Sequence, residues 1–142
     1  MEIKEIEQEI TEEFELFGDE WEGKYEHLID LSKSLPLIDE KYKTEDKLIK
    51  GCQSKVWLHS EIKNAKVVFT ADSDAIITKG LVALIVRVLS GHTADEIIEA
   101  KMDFINKIGL KEHLSPTRAN GLVSMIKQMK LDALALQVKS NK

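Results

Sequence analysis

The chain has 142 residues, of which 43% are hydrophobic and 32% charged, with a formal net charge of -5. That length supplies one domain, residues 1–142, able to bury about two thirds of its unfolded surface around a single core. The composition excludes disordered and fibrous classes, and the acidic balance disfavours both a phosphate-driven nucleic-acid binder and an acidic partner surface.

The first residues, Met1-Glu2-Ile3-Lys4-Glu5-Ile6, alternate charge with aliphatics and form neither a secretory signal nor a membrane span. A cytoplasmic protein with no membrane partner is expected. Ile3, Ile6, Ile10, Phe14 and Phe17 recur at helical steps, and Gly18-Asp19 ends that helix. A second amphipathic run places Trp21, Tyr25, Leu28, Ile29 and Leu35 on one stripe and stops before Pro36. Both helices read as core packing.

From Pro36 to Gly51 the periodicity is lost, and the nearly all-charged run from Asp39 to Lys47 predicts a solvated surface segment, in a connection that delivers the chain to Gly51-Cys52. Beyond the cysteine the period becomes two. Val56, Leu58 and Ile62 alternate with Trp57, His59 and Glu61, and Val67, Phe69 and Ala71 follow a turn at Lys63-Asn64-Ala65. This predicts an antiparallel hairpin, with Leu48-Ile49 a weak candidate for a further strand. The most apolar helix runs from about Asp74 to Gly91, with Asp72 or Ser73 available as its cap. Thr93 to Glu96 is a capping box, Gly109 is placed to end a short helix over Asp103 to Ile108, and Ser115-Pro116 opens a last helix carried by Leu122, Val123, Ile126, Met129 and Leu134. The expected class is α+β, a small antiparallel sheet packed against flanking helices.

Cys52 is the sole sulfur nucleophile, so no intrachain disulfide and no resolving thiol exist. Its segment is polar and glycine-hinged, and Lys50 and Lys55 are near enough in sequence to favour the thiolate. The alternative is a small buried hydrophobe. His27, His59, His92 and His113 show no metal-ligand spacing. The order Cys52, His113, Asn120 permits a small cysteine hydrolase, although order alone is a weak signal. Only two arginines occur. Arg118 falls in the first turn of the last helix, against the helix dipole, which points to a role such as pairing with a carboxylate or engaging a partner. Arg87 lies in an apolar run and suits an ion pair. Asp72-Ser73-Asp74 reads as helix capping or an acidic docking feature.

Three segments taken together, Gly51-Cys52-Gln53-Ser54-Lys55-Val56-Trp57, Ala71 to Leu81 and His113 to Leu122, resemble the SufE family of sulfur acceptors. The resemblance implies a fold like that of the IscU-type scaffold and a role in iron-sulfur cluster assembly. It implies a carrier, and no enzyme, that takes persulfide sulfur onto Cys52 from a cysteine desulfurase of the SufS type, stimulates that desulfurase, and passes the sulfur to a scaffold complex of the SufBCD type. Pyridoxal phosphate then belongs to the desulfurase, with no cofactor on this chain. Gly51, Gln53, Asp74 and Arg118, within the family motifs, become candidates for supporting the cysteine or docking the partner. A homodimer stays open.

Overall fold

In the computed structural model of the chain, which describes residues 1–140, the most apolar run of the sequence becomes the axis of the molecule. Helix α3 spans Ile76–Leu89, and ten of its 14 residues are buried, because it is enclosed on nearly every side. Helices α1 (Ile3–Glu15) and α2 (Trp21–Ser32) cover one side through Ile10, Phe14 and Leu28. A strand pair, β1 (Val56–Lys63) and β2 (Lys66–Ser73), covers another through Val56, Leu58, Val67, Phe69 and Ala71. Short helices α4 (Ala94–Glu99), α5 (Phe104–Lys107) and α6 (Leu110–His113) lead into α7 (Pro116–Ser140), which inserts Leu122, Met125, Met129 and Ala133. The α+β architecture expected from the pattern is present. No described helix is long and apolar enough to cross a membrane.

Local chemistry explains most boundaries. The two-residue hairpin turn uses Asn64 at φ 52° and Ala65 at φ 65°, the left-handed pair that matches the twist of the flanking strands. Thr93 and Glu96 form the expected capping box, and Ser115 Oγ accepts from the Arg118 N–H at 3.2 Å. The cap expected of Asp72 or Ser73 is displaced. Helix α3 begins after Ala75, Asp72 accepts from Ser73 N–H, and Ser73 Oγ accepts from Ala75 N–H, so both side chains serve the turn ahead of the helix. At Gly80 the backbones of α2 and α3 approach so closely that a Cβ would lie 2.3 Å from the Leu28 carbonyl oxygen.

No residue of the charged run from Asp39 to Lys47 is buried, as expected, but the residues flanking it are anchored to the hairpin. Ile38 N–H donates to Ala71 O and Ala71 N–H to Pro36 O, both at 3.1 Å, along the β2 edge. Ile49 N–H donates to Val56 O at 2.8 Å along the β1 edge. The chain thus passes from one edge of the hairpin to the other, burying Ile38 and Ile49, and Tyr42 stacks on His59 with ring centroids 3.7 Å apart. Leu48 forms an isolated bridge to Trp57 where a further strand was a weak expectation. Lys43 at 2.6 Å and Lys79 at 3.3 Å both pair with Asp72, tying this strap and α3 to the end of β2. A charged stretch hides its few anchors from a periodicity count, because edge pairing needs backbone groups and only two aliphatic side chains.

Candidate functional site

The cysteine loop runs from Gly51 to Lys55 between the Ile49 bridge and β1, and three attachments hold it. Asp74 accepts from the Lys55 N–H through Oδ1 at 3.0 Å and returns its own N–H to the Lys55 carbonyl at 3.3 Å, extending the hairpin ladder by one more pair. Gly51 sits at φ +92°, a region that favours glycine, and packs so tightly on α7 that a Cβ would lie 2.5 Å from Ser124 Oγ. Cys52 itself points its thiol at α7, where Sγ lies 3.6 Å from the Gly121 carbonyl oxygen in the geometry of a weak S–H donor. A Cβ on Gly121 would touch the sulfur at 3.5 Å, so α7 forms a close wall beside the thiol.

The thiol opens onto a cavity of about 330 Å3. Ser54, Thr78, Ser115 and Thr117 line it, together with Gln53 and Arg118 and the apolar Leu81 and Met125. Arg118 makes no ion pair among the described residues, and it stands at the N-terminal turn of the longest helix, whose dipole adds positive potential. The cavity is therefore a recess of mixed polar and apolar lining, with a cation at its edge, beside a half-buried sulfur.

The protonation state differs from the one the neighbouring lysines suggest in sequence. Burial pushes the Cys52 thiol above the ordinary cysteine range, and Lys50 and Lys55 are both exposed to solvent, where their charge is screened. Resting Cys52 is a sheltered thiol. The sequence order Cys52, His113, Asn120 does not become a triad. His113 stacks on Trp21 with centroids 4.0 Å apart and its Nδ1 meets the Gly109 carbonyl at 3.1 Å. Neither His113 nor Asn120 lines the cavity, so the cysteine lacks a general base there. Among the described residues no group of three or more His, Cys, Asp or Glu is gathered to hold a metal.

Arg87 lies away from this recess and forms a two-pronged ion pair with Glu13, at 3.0 and 2.5 Å, bridging α3 and α1. Gly121, Ser124 and Thr78 are the site residues that sequence reasoning passed over. Gly121 lies within the His113 to Leu122 segment, but nothing in its spacing shows that it faces the thiol.

A model of the SufE family, described as an Fe-S metabolism associated domain, matches residues 8–133. The chain belongs to the SufE family. It is 44% identical over 131 residues to an uncharacterized SufE-like protein of Rhizobium meliloti (strain 1021), covering 88% of this chain and 92% of that protein. It is 41% identical over 140 residues to the SufE-like protein 1, chloroplastic/mitochondrial, of Arabidopsis thaliana, covering 96% of this chain and 38% of that longer protein. An uncharacterized SufE-like protein of Synechocystis is 38% identical over 129 residues, covering 91% of this chain and 80% of its own length. The fold is shared with a hypothetical protein from Thermus thermophilus solved in solution, at a TM-score of 0.78 and 18% identity, covering 94% of this chain and 96% of the other. Membership of the family places the SufE chain in iron-sulfur metabolism.

Proposed function

We propose that this SufE-family chain is a sulfur carrier that receives persulfide sulfur on Cys52 from a pyridoxal-phosphate cysteine desulfurase and delivers it to an iron-sulfur scaffold. The observation that carries the reading is the setting of Cys52: a lone, half-buried thiol opening onto a recess with an uncommitted arginine and no histidine or carboxylate in its lining. Such a site suits receipt of a preformed sulfur electrophile better than hydrolysis, which needs a base to activate the nucleophile and a water.

In the transfer, Cys52 gives up its thiol proton to water or to the desulfurase site as the partner docks. The thiolate then attacks the outer sulfur of the desulfurase persulfide; the new S–S bond forms on Cys52 and the old one breaks, releasing the desulfurase cysteine as thiolate. The exchange is redox-neutral, and the sulfane sulfur simply changes owner. Arg118 and Asp74 orient the loop or dock the desulfurase, and Gly51 supplies the hinge. The chain carries no cofactor of its own in this scheme and acts as an accessory protein, with the SufS and SufBCD types as the partners the family suggests.

Intact mass after incubation with a cysteine desulfurase and free cysteine tests the reading. A gain of about 32 Da that reductant removes and that Cys52→Ser abolishes is expected for one added sulfur. No adduct on a folded wild-type chain, or an acyl adduct with an ester probe in its place, would overturn it. In parallel, Arg118→Ala should stay folded and lose stimulation of the desulfurase; full stimulation would remove Arg118 from the site.

A further inference from the structure

On the side of α7 turned away from Cys52 lies an apolar trough of about 490 Å3 between that helix and the α4–α6 segment. A helix turns about 100° per residue, which puts Val123, Lys127, Leu131 and Leu134 on the flank opposite Arg118, Gly121 and Met125. Val123, Leu131 and Leu134 are 47%, 49% and 45% exposed, although the first and last of them belong to the apolar period that marks the helix in sequence. Ile98, Met102 and Ile105 form the other wall. From Val123 to Leu134 the α7 wall is about 16 Å long, three helical turns.

The charge around the trough runs against that of the whole chain. Each wall carries two lysines, Lys101 and Lys111 on one side and Lys127 and Lys130 on the other, and no acidic residue lines the space. None of the four forms an ion pair among the described residues, while Lys130 Nζ donates to Ala100 O and so holds the two walls together. A protein with a net charge of -5 has thus gathered unpaired cations along both borders of an exposed aliphatic strip.

From this arrangement we infer that the trough is a docking groove for an amphipathic helix of a partner protein, one with an aliphatic face flanked on both sides by carboxylates. Its length suits about three turns of helix, aliphatic side chains at steps of three and four fill the strip, and carboxylates on either flank meet the lysines. An anionic amphiphile has one charged head and leaves one lysine border without a partner. Because the groove lies across α7 from the thiol, the partner helix can sit there while Cys52 is engaged elsewhere. The inference stands independently of the sulfur-carrier reading, and it replaces the expectation from net charge that an acidic partner surface is disfavoured.

The test is a two-dimensional NMR titration of the full chain with a designed helical peptide of about four turns, leucines on one face and glutamates flanking it. Shifts confined to Val123, Leu131, Leu134 and the α4–α5 wall are expected, with affinity that weakens as salt rises. A peptide with lysines in place of the glutamates should bind at least about tenfold more weakly, as should Leu131→Asp and the Lys101→Glu/Lys127→Glu double variant toward the glutamate peptide. All these side chains are exposed, so folding is retained, and loading of Cys52 by the desulfurase serves as the control that should not change. Equal binding of the two peptides, shifts outside the groove, full affinity in the variants, tighter binding of dodecanoate, or self-association of the chain through the groove would each overturn the inference.

Discussion

Replacing Gly51 by alanine makes two separate demands on the cysteine loop. The φ of +92° costs an ordinary residue about 1–2 kcal/mol, and the new methyl would start 2.5 Å from Ser124 Oγ and 3.2 Å from its Cβ. Ser124 relieves the shorter contact by leaving its rotamer, at about 0.5–1.5 kcal/mol. The sum, about 1.5–3.5 kcal/mol, is small enough for a domain of ordinary stability to remain folded. Because the strain is local, part of it is relieved whenever the loop lifts from α7, so Cys52 should open more often. Each 1.4 kcal/mol passed into that opening raises alkylation of the thiol by about tenfold. The assay is urea denaturation beside the rate of iodoacetamide labelling, for wild type, Gly51→Ala, Ser124→Ala and the pair. Ser124→Ala removes the hydroxyl contact but neither its Cβ nor the backbone strain, so the double variant should recover about 0.5–1.5 kcal/mol and no more. A Gly51→Ala chain as stable and as unreactive as wild type would refute the reasoning, and complete rescue by Ser124→Ala would refute the backbone half of it.

Gly80→Ala forces a methyl against the Leu28 backbone, which no side-chain rotation relieves, and should cost about 3 kcal/mol or more by chemical denaturation, with α2 displaced. Glu13→Gln should cost about 1–2 kcal/mol at neutral pH, discounted for partial exposure, since it takes the charge from the ion pair with Arg87. The hydrogen bond from Arg87 holds the Glu13 carboxyl below the usual glutamate range, so its contribution is present above the ordinary glutamate pKa and is lost as pH falls through the folded one; denaturation curves of variant and wild type should converge in acid. Burial raises the Cys52 thiol, so its alkylation rate should keep climbing past the pH at which a small-molecule thiol levels off. By the same sign, the folded state loses stability relative to Cys52→Ala as pH rises from the ordinary thiol pKa toward the folded one.

Much of this molecule was legible in one dimension because it depends on neighbours in sequence. Helical steps, the Thr93 capping box, Ser115-Pro116, the hairpin alternation and the apolar α3 each follow from short-range geometry. The cysteine, its glycine and the segments carrying Asp74 and Arg118 were equally visible, since their identity rests on residue types at fixed places along the chain. Tertiary structure alone decided what surrounds the thiol. The Gly121 carbonyl and the Ser124 contact come from α7, whose first residues are more than sixty positions away from Cys52, and the raised thiol pKa comes from burial in the folded chain. His113 was drawn to Trp21 and away from the cysteine by packing that no spacing encodes, and the strap over the hairpin was anchored through backbone edges that carry no signal in side-chain pattern. The exposed flank of α7 shows the same limit from the other direction. Val123 and Leu134 satisfy a helical period as well as any core residue, and only the positions of α4 and α5 determine that they face a lysine-bordered trough. Periodicity reports that a face is apolar; what lies against that face is set by contacts distant in sequence.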